Sequence, residues 1–547
     1  MIKRLTLLIT VVALALSLAA CTSKETGLDT DAEGEITVML YNGDGNTYED
    51  LGHQTLNTVD IKDDKLGLMY AVTKEFNKHY PNVKINVHFK LGDSYNWETK
   101  ETWAQYRSNF EQQTGDKVDI WSVTDLAGDT QRGLVSDLSV FKDDAVYKSI
   151  NPAFMNMLNY YGVQAGLPEY VIPWGVYVNR DLAEEKNLDV PTPEWTIEEY
   201  TEFVEISQAN EFYGTENPDF RMVQTGVNTI TKQLLNMGVD GDFVNVNSDE
   251  VRSLIPHITK WAQNALWTTG ADWSSGSTTG EFYGSGSWYD HNFFKQGKML
   301  TNNAAPWELG NAANPLTSEL MLNDVDWDYY PRPSTDYVDN TVGIVLDPIA
   351  LRNYAMDDEN VKLSDEEMAK LEMTYAFASF WIADTRSWEA QARQQYNNVD
   401  KFDTVMSDGF PVTTGDLFEE QMEIWYSLPT HQYFSDAERT PGFQKVLEIF
   451  LSGDIHDVAD KAYPWNFDDA GESKQIFHEW NQMGNPGILT GNPEATSPEI
   501  LDGVAFTDAV LAKLPEWNVL FNARFEAAFD DLKAGLKEYY GKTDKDF

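Results

Sequence analysis

"EITVMLYNGDGN", residues 35–46, reads as a strand that runs into a turn, and the elements around it decide the fold. Downstream, Met69, Val72 and Phe76 share one helical face, and Pro81 breaks that helix. "VKINVHF", 83–89, alternates Val83, Ile85, Val87 and Phe89, the period of a strand. Trp103, Tyr106 and Phe110 mark another helix, and "KVDIWSV", 117–123, another short strand. Strand–helix alternation of this kind predicts an α/β domain with a mainly parallel sheet. In such sheets ligands sit at the carboxyl ends of strands, which puts "NGDGN" and "WSVTD" at the edge of a cleft.

Further along, "YVIPWGVYVNRDL", 170–182, is a strand leading away from this first domain. "WTIEEYTEFV" follows, with Thr196 and Glu199 spaced as a capping box. Residues 268–290 are rich in Gly, Ser, Thr and aromatics, and "TVGIVLDPIAL" from Thr341 is a second extended run. Ser364 and Glu367 then cap a helix whose inner face carries Met368, Leu371, Tyr375, Ala378 and Ile382. The C-terminal third reads as mostly helical, interrupted by Pro- and Gly-rich loops. No internal repeat is present.

A chain of 547 residues can bury a large core and is expected to divide into at least two domains. Hydrophobic content of 42% with 17 tryptophans excludes a disordered chain. The formal charge of −48 disfavours nucleic acid and anionic lipid headgroups, because both are polyanions. Metal and cofactor motifs are absent. Asp29-x-Asp31-x-Glu33-Gly34 opens like a calcium loop, but its twelfth position is Leu40 where a bidentate glutamate is required. The eight histidines form no HExxH, and neither a phosphate-binding loop nor a nucleophile elbow occurs.

Cys21 is the one cysteine, so a disulfide within the chain is impossible. Before it, Lys3 and Arg4 precede an apolar run from Leu5 to Ala20, the pattern of a secretory signal too short to span a membrane. Leu18-Ala19-Ala20-Cys21 resembles the lipobox of bacterial lipoproteins, whose cysteine is acylated and becomes the new N-terminus. The expectation is therefore a signal peptide over 1–20, lipidation at Cys21 and a polar tether over 21–34. The chain would be held on the extracellular face of the cell membrane by lipid alone.

Beyond the tether, the chain resembles the extracellular solute-binding proteins of bacterial ABC importers, specifically the maltose-type, sugar-binding family. "FFKQGKMLTNNAAPWELG", 293–310, has the family's F-x-x-G spacing at Phe294 and Gly297, followed by Pro306-Trp307. It departs from the pattern at Lys298-Met299-Leu300, where the family shows small residues before methionine. The opening strand and turn also resemble the family, as do residues 118–139, "GVYVNRDL" with "WTIEEY", residues 329–346, "FWIAD" and "GFPVTT". Their order over residues 35–415 carries the likeness. It implies a two-lobed, periplasmic-binding-protein-like α/β fold with the ligand cleft between lobes joined by hinge strands. The first lobe would comprise 35–172 plus 341–405, and the second 173–340 plus 406–547. Crossings fall near Trp174, Thr341 and Gly409. The implied function is capture of a neutral oligosaccharide for an ABC transporter permease, by a monomer without cofactor or metal and without catalysis. A surface glycoside hydrolase, or the same receptor fold carrying a peptide, are the alternatives.

A sugar presents hydroxyls and an apolar C–H face, so its site needs carboxylates or amides with flat aromatic platforms. The resemblance places a stacking ring at Trp307 and a hydroxyl acceptor at Asp44, although Asp44 also suits a simple turn. Trp121 and Asp125 flank the end of "DIWSVTD"; Trp121 either faces ligand or packs inward, and Asp125 either binds ligand or caps the next helix. Trp174 either faces the cleft or fills the lobe junction. Trp273, Trp288 and Tyr289 form a lip or a locally packed loop, and Trp465 and Trp517 read as structural.

Overall fold

The computed structural model describes residues 27–42, 53–55, 64–91, 95–96, 101–205, 212–215, 243–265, 294, 297–304, 326–358, 362–396, 409–428, 431–453, 455–457, 462, 479 and 503–547. Cys21, Asp44, Trp273, Trp288, Tyr289, Trp307 and Trp465 lie outside them. Among the described residues, one sheet gathers ten strands. They are β1 (Gly34–Asn42), β2 (His53–Thr55), β3 (Val83–Leu91), β4 (Ile120–Ser122), β5 (Leu167–Asn179), β6 (Tyr213–Thr215), β7 (Met299–Ala304), β8 (Trp327–Tyr330), β9 (Val342–Leu351) and β10 (Ile455–Asp457). The helices include α1 (Asp64–Phe76), α2 (Trp103–Thr114), α3 (Leu126–Gln131), α4 (Ile197–Glu205), α5 (Asp249–Gln263), α6 (Asp365–Ala383), α7 (Thr385–Tyr396), α8 (Asp416–Tyr426), α9 (Pro441–Ser452) and α10 (Gly503–Tyr540). A small hairpin, Asn159–Tyr160 with Val163–Gln164, precedes β5.

Strand order is β6-β7-β5-β9-β4-β1-β3-β2, with β8 also on β5 and β10 also on β9. β1 pairs in parallel with β3 and β4, as the strand–helix alternation predicts. The sheet as a whole is mixed rather than mainly parallel. β9 runs antiparallel to both β4 and β5, because it returns from β8, which pairs with the last residues of β5, instead of arriving through a local helical crossover. The two capping boxes form. Ser364 and Glu367 close the start of α6 reciprocally, and Thr196 with Glu199 do so before α4.

β5 changes partners along its length. From Leu167 to Trp174 it pairs with β9; from Gly175 to Val178 it pairs with β7, and from Val176 to Asn179 with β8 on the other side. Ile36, Val38, Val83, Ile85, Ile120 and Leu346 bury on the first part of the sheet, with α1 and α6 among the elements that cover it. Val176, Val178 and Leu300 belong to a separate core with Trp195, Tyr200, Ile255 and Trp261 from α4, α5 and the segment before them. The opposite face of the second part carries Tyr177, Trp327 and Tyr329. Tyr433 stacks on Trp327 at 4.4 Å, and Phe434 meets both Trp327 and Tyr329. Phe450 of α9 meets Phe154, which belongs to the first core, so residues 409–428 and 431–453 form the seam between the two parts of the sheet.

Candidate functional site

The point where β5 changes sheet is built from backbone and one phenol. Tyr329 reaches across from β8; its hydroxyl accepts the Gly175 N–H at 2.5 Å and donates to the Pro173 carbonyl at 3.1 Å. Gly175 is required there, since a Cβ would stand 2.5 Å from the Tyr330 carbonyl oxygen and 3.0 Å from the Tyr329 ring. Burial raises the Tyr329 phenol far above its ordinary range, so it remains a neutral donor and acceptor.

One face of β5 at this crossing belongs to neither large core. Ile172, Trp174 and Val345 form a small cluster of their own, with Tyr170 packed against it. Successive even-numbered positions of a strand share a face, which is why 170, 172 and 174 line up. Gly343 stands opposite Trp174 and offers no side chain. Asp347 is opposite Tyr170, beside a bulge at Asp347/Pro348, and both side chains are half-buried. The carboxyl end of β4 lies alongside, where Val123 N–H donates to the Pro348 carbonyl at 2.9 Å. Rings, aliphatic side chains and a carboxylate thus share one face where the two parts of the sheet meet. That composition suits a ligand with both hydroxyls and an apolar face.

Four of the residues singled out from the sequence fall in different places. Trp174 is in this cluster, 7% exposed. Asp125 caps α3, its carboxylate accepting the Gly128 N–H at 2.8 Å. Trp121 packs inward at 1% exposure. Its indole N–H donates to Asp129 at 2.9 Å and the Arg107 guanidinium lies 3.8 Å from its ring centre. Burial pushes the Asp129 carboxyl up, but Arg107, Arg132 and the Trp121 N–H outweigh it and hold the acid below its usual range. Trp121 is therefore a buried strut between β4, α2 and α3. Trp517 is core, at 2% exposure. Tyr170, Val345 and Asp347 were not singled out from sequence; the register of β5 against β9 is what brings them to Trp174, and no short motif encodes it.

No protein-family model and no curated protein matches this chain. Solved structures do. An ABC substrate-binding protein from Listeria monocytogenes in complex with cycloalternan is 16% identical, with 89% of this chain and 99% of that one covered at a TM-score of 0.50. A cyclic alpha-maltosyl-1,6-maltose binding protein from Arthrobacter globiformis is 15% identical over 89% and 100%, also at 0.50. A family 1 extracellular solute-binding protein from Alicyclobacillus acidocaldarius is 11% identical over 90% and 100%, at 0.51. The chain has the fold of these two-lobed solute-binding proteins, and all three are binding proteins rather than enzymes.

Proposed function

We propose that this chain is the solute-binding receptor of an ABC importer, capturing a neutral oligosaccharide between its lobes and passing it to the permease. The observation that carries this reading is the crossing of β5 at Trp174 and Gly175, with its own small aromatic and aliphatic cluster, in a chain whose fold is shared over its length with sugar-binding receptors. The lobes are 35–172 with 341–405, and 173–340 with 406–547, residues 409–428 and 431–453 lying at their seam. Trp174 is the platform at the cleft floor, with Asp125 at its edge. Trp307, Asp44 and Trp121 complete the expected set, Trp121 by holding α3 rather than by touching sugar. Cys21 carries the lipid that keeps a monomeric receptor at the cell surface.

Titration calorimetry with maltotetraose, cycloalternan and cyclic maltosyl-maltose tests the reading, with chromatography of the sugar afterwards. Binding with intact sugar recovered is the expected result. Shorter products would make the protein a surface glycoside hydrolase, and a peptide as the only tight ligand would keep the receptor and change its cargo.

A further inference from the structure

α10 is a single helix of 38 residues, about 57 Å long at 1.5 Å per residue. Its first two-thirds belong to the second core through Phe506, Val510, Leu514, Phe521, Phe525 and Phe529. Polar contacts reinforce that attachment. Asn522 and Asn518 accept the Val244 and Val246 N–H groups at 3.1 and 2.9 Å, and Thr507 bonds Thr259 at 2.8 Å. After Phe529 the allegiance changes. Leu532 and Leu536 are buried in the core that holds β1, β3 and β4.

The far end of α10 docks on the far end of α3. Gly535 lies against the backbone of Gln131, where a Cβ would stand 2.2 Å from the carbonyl oxygen. α3 ends in a Schellman turn, with Gly133 N–H bonded to the Thr130 carbonyl and Leu134 N–H to that of Asp129. Gly133, at φ +70°, leaves the space that the Tyr539 ring fills. Tyr540 then donates to the Val135 carbonyl at 2.8 Å. Beyond the helix, Phe547 meets Tyr161 edge-on at 4.9 Å. Tyr161 forms the hairpin turn before β5 with φ +51° and packs against both large cores. These contacts lie well away from the crossing, since β5 alone runs from Leu167 to Trp174, about 23 Å at 3.3 Å per residue.

We infer that the C-terminal end of α10 is a second tie between the lobes, offset from the hinge, that restrains their relative movement. An uninterrupted helix cannot follow two bodies rotating apart without bending between Phe529 and Leu532 or leaving α3. At the crossing itself a rotation displaces atoms little; at the α3–α10 contact, farther from it, the displacement is larger. The inference rests on the two-lobe reading but on no particular ligand.

Gly535→Ala isolates the contact, because alanine favours helix more than glycine does while its Cβ has no room beside Gln131. The full-length chain carrying Cys21→Ala is spin-labelled at Lys78→Cys and Glu198→Cys, both exposed and one in each lobe. Distances are then measured without ligand by pulsed electron resonance. A single narrow distance in the parent, broadened or split by Gly535→Ala at unchanged helical circular dichroism, is the expected result. Leu536→Ala gives the same test without adding an atom. An unchanged, narrow distribution in both folded variants overturns the tie, whatever solute the cleft binds.

Discussion

The Tyr329 hydroxyl holds the N–H of Gly175 and, through the Pro173 carbonyl, the residue two before it, so one side chain on β8 fixes the backbone where β5 passes between the two parts of the sheet. Tyr329→Phe leaves a buried N–H and a buried carbonyl without that partner. The expected loss is about 1–3 kcal/mol, measured by urea unfolding. A loss within about 0.5 kcal/mol, the scatter of unremarkable surface substitutions, would show that the two groups find other partners.

Asp328, beside it, supplies a cap that the sequence around α9 lacks. Thr440 makes no side-chain cap, and the Asp328 carboxylate instead accepts the N–H groups of Gly442 and Phe443 at 2.9 and 3.2 Å. Burial raises this acid from 3.8 to about 6, although those N–H groups and Arg180 pull the other way. A raised folded value means that the native state holds its proton more tightly than the unfolded chain. Stability from this group is therefore full below about pH 4 and declines as pH rises through 6, by about 3 kcal/mol over the window. Asp328→Asn removes the titration. The difference in unfolding free energy between parent and variant should change in that direction between pH 4 and 7; a constant difference would refute the assignment.

Asp125 has two candidate roles that a pair of substitutions separates. Asp125→Ser keeps an N-cap oxygen and removes the carboxylate, whereas Asp125→Ala removes both and costs about 1 kcal/mol. If the carboxylate meets sugar, calorimetry should show affinity falling about tenfold or more in the serine variant, at a nearly unchanged melting midpoint. Equal affinity in parent and serine variant leaves Asp125 as a cap alone.

Trp174→Ala should lower oligosaccharide affinity by at least about tenfold, since a lost ring contact of roughly 1.5 kcal/mol corresponds to that factor. Binding by the Phe variant, which retains a flat ring, should fall less. The same affinity in all three proteins would place the ligand elsewhere.

Cys21→Ala should move the protein from the membrane fraction to the soluble fraction or leave its signal uncleaved. Normal processing with continued membrane association would contradict lipid anchoring.

Local signals in the chain carried most of the first part of the fold. The alternation in "VKINVHF", the Met69–Val72–Phe76 face and the Ser364/Glu367 box each concern neighbours a few residues apart, and each forms as the spacing predicts. The partnership of Trp174 with Val345 and Tyr170 was not legible, because strand register across 171 residues of chain leaves no local trace. α10 was legible only in part. Phe506, Val510, Leu514, Trp517, Phe521 and Phe525 keep helical spacing, but Pro515 reads as a break. Proline has no N–H for the Leu511 carbonyl, and Arg252 of α5 supplies a donor to that oxygen at 3.4 Å. A remote guanidinium thus stands in for the donor that Pro515 lacks.

The second core also has an order of assembly. Val251, Ile255, Ile258 and Trp261 are covered by aromatic side chains that begin at Phe506, more than two hundred residues later in the chain. Until those residues have been synthesised, only the earlier elements of this core, such as Tyr200 against Trp261 at 5.2 Å, cover the apolar face of α5. Late delivery of the α10 rings keeps the second core incomplete until synthesis has almost ended, so this half of the molecule closes after the sheet strands that frame it are already present.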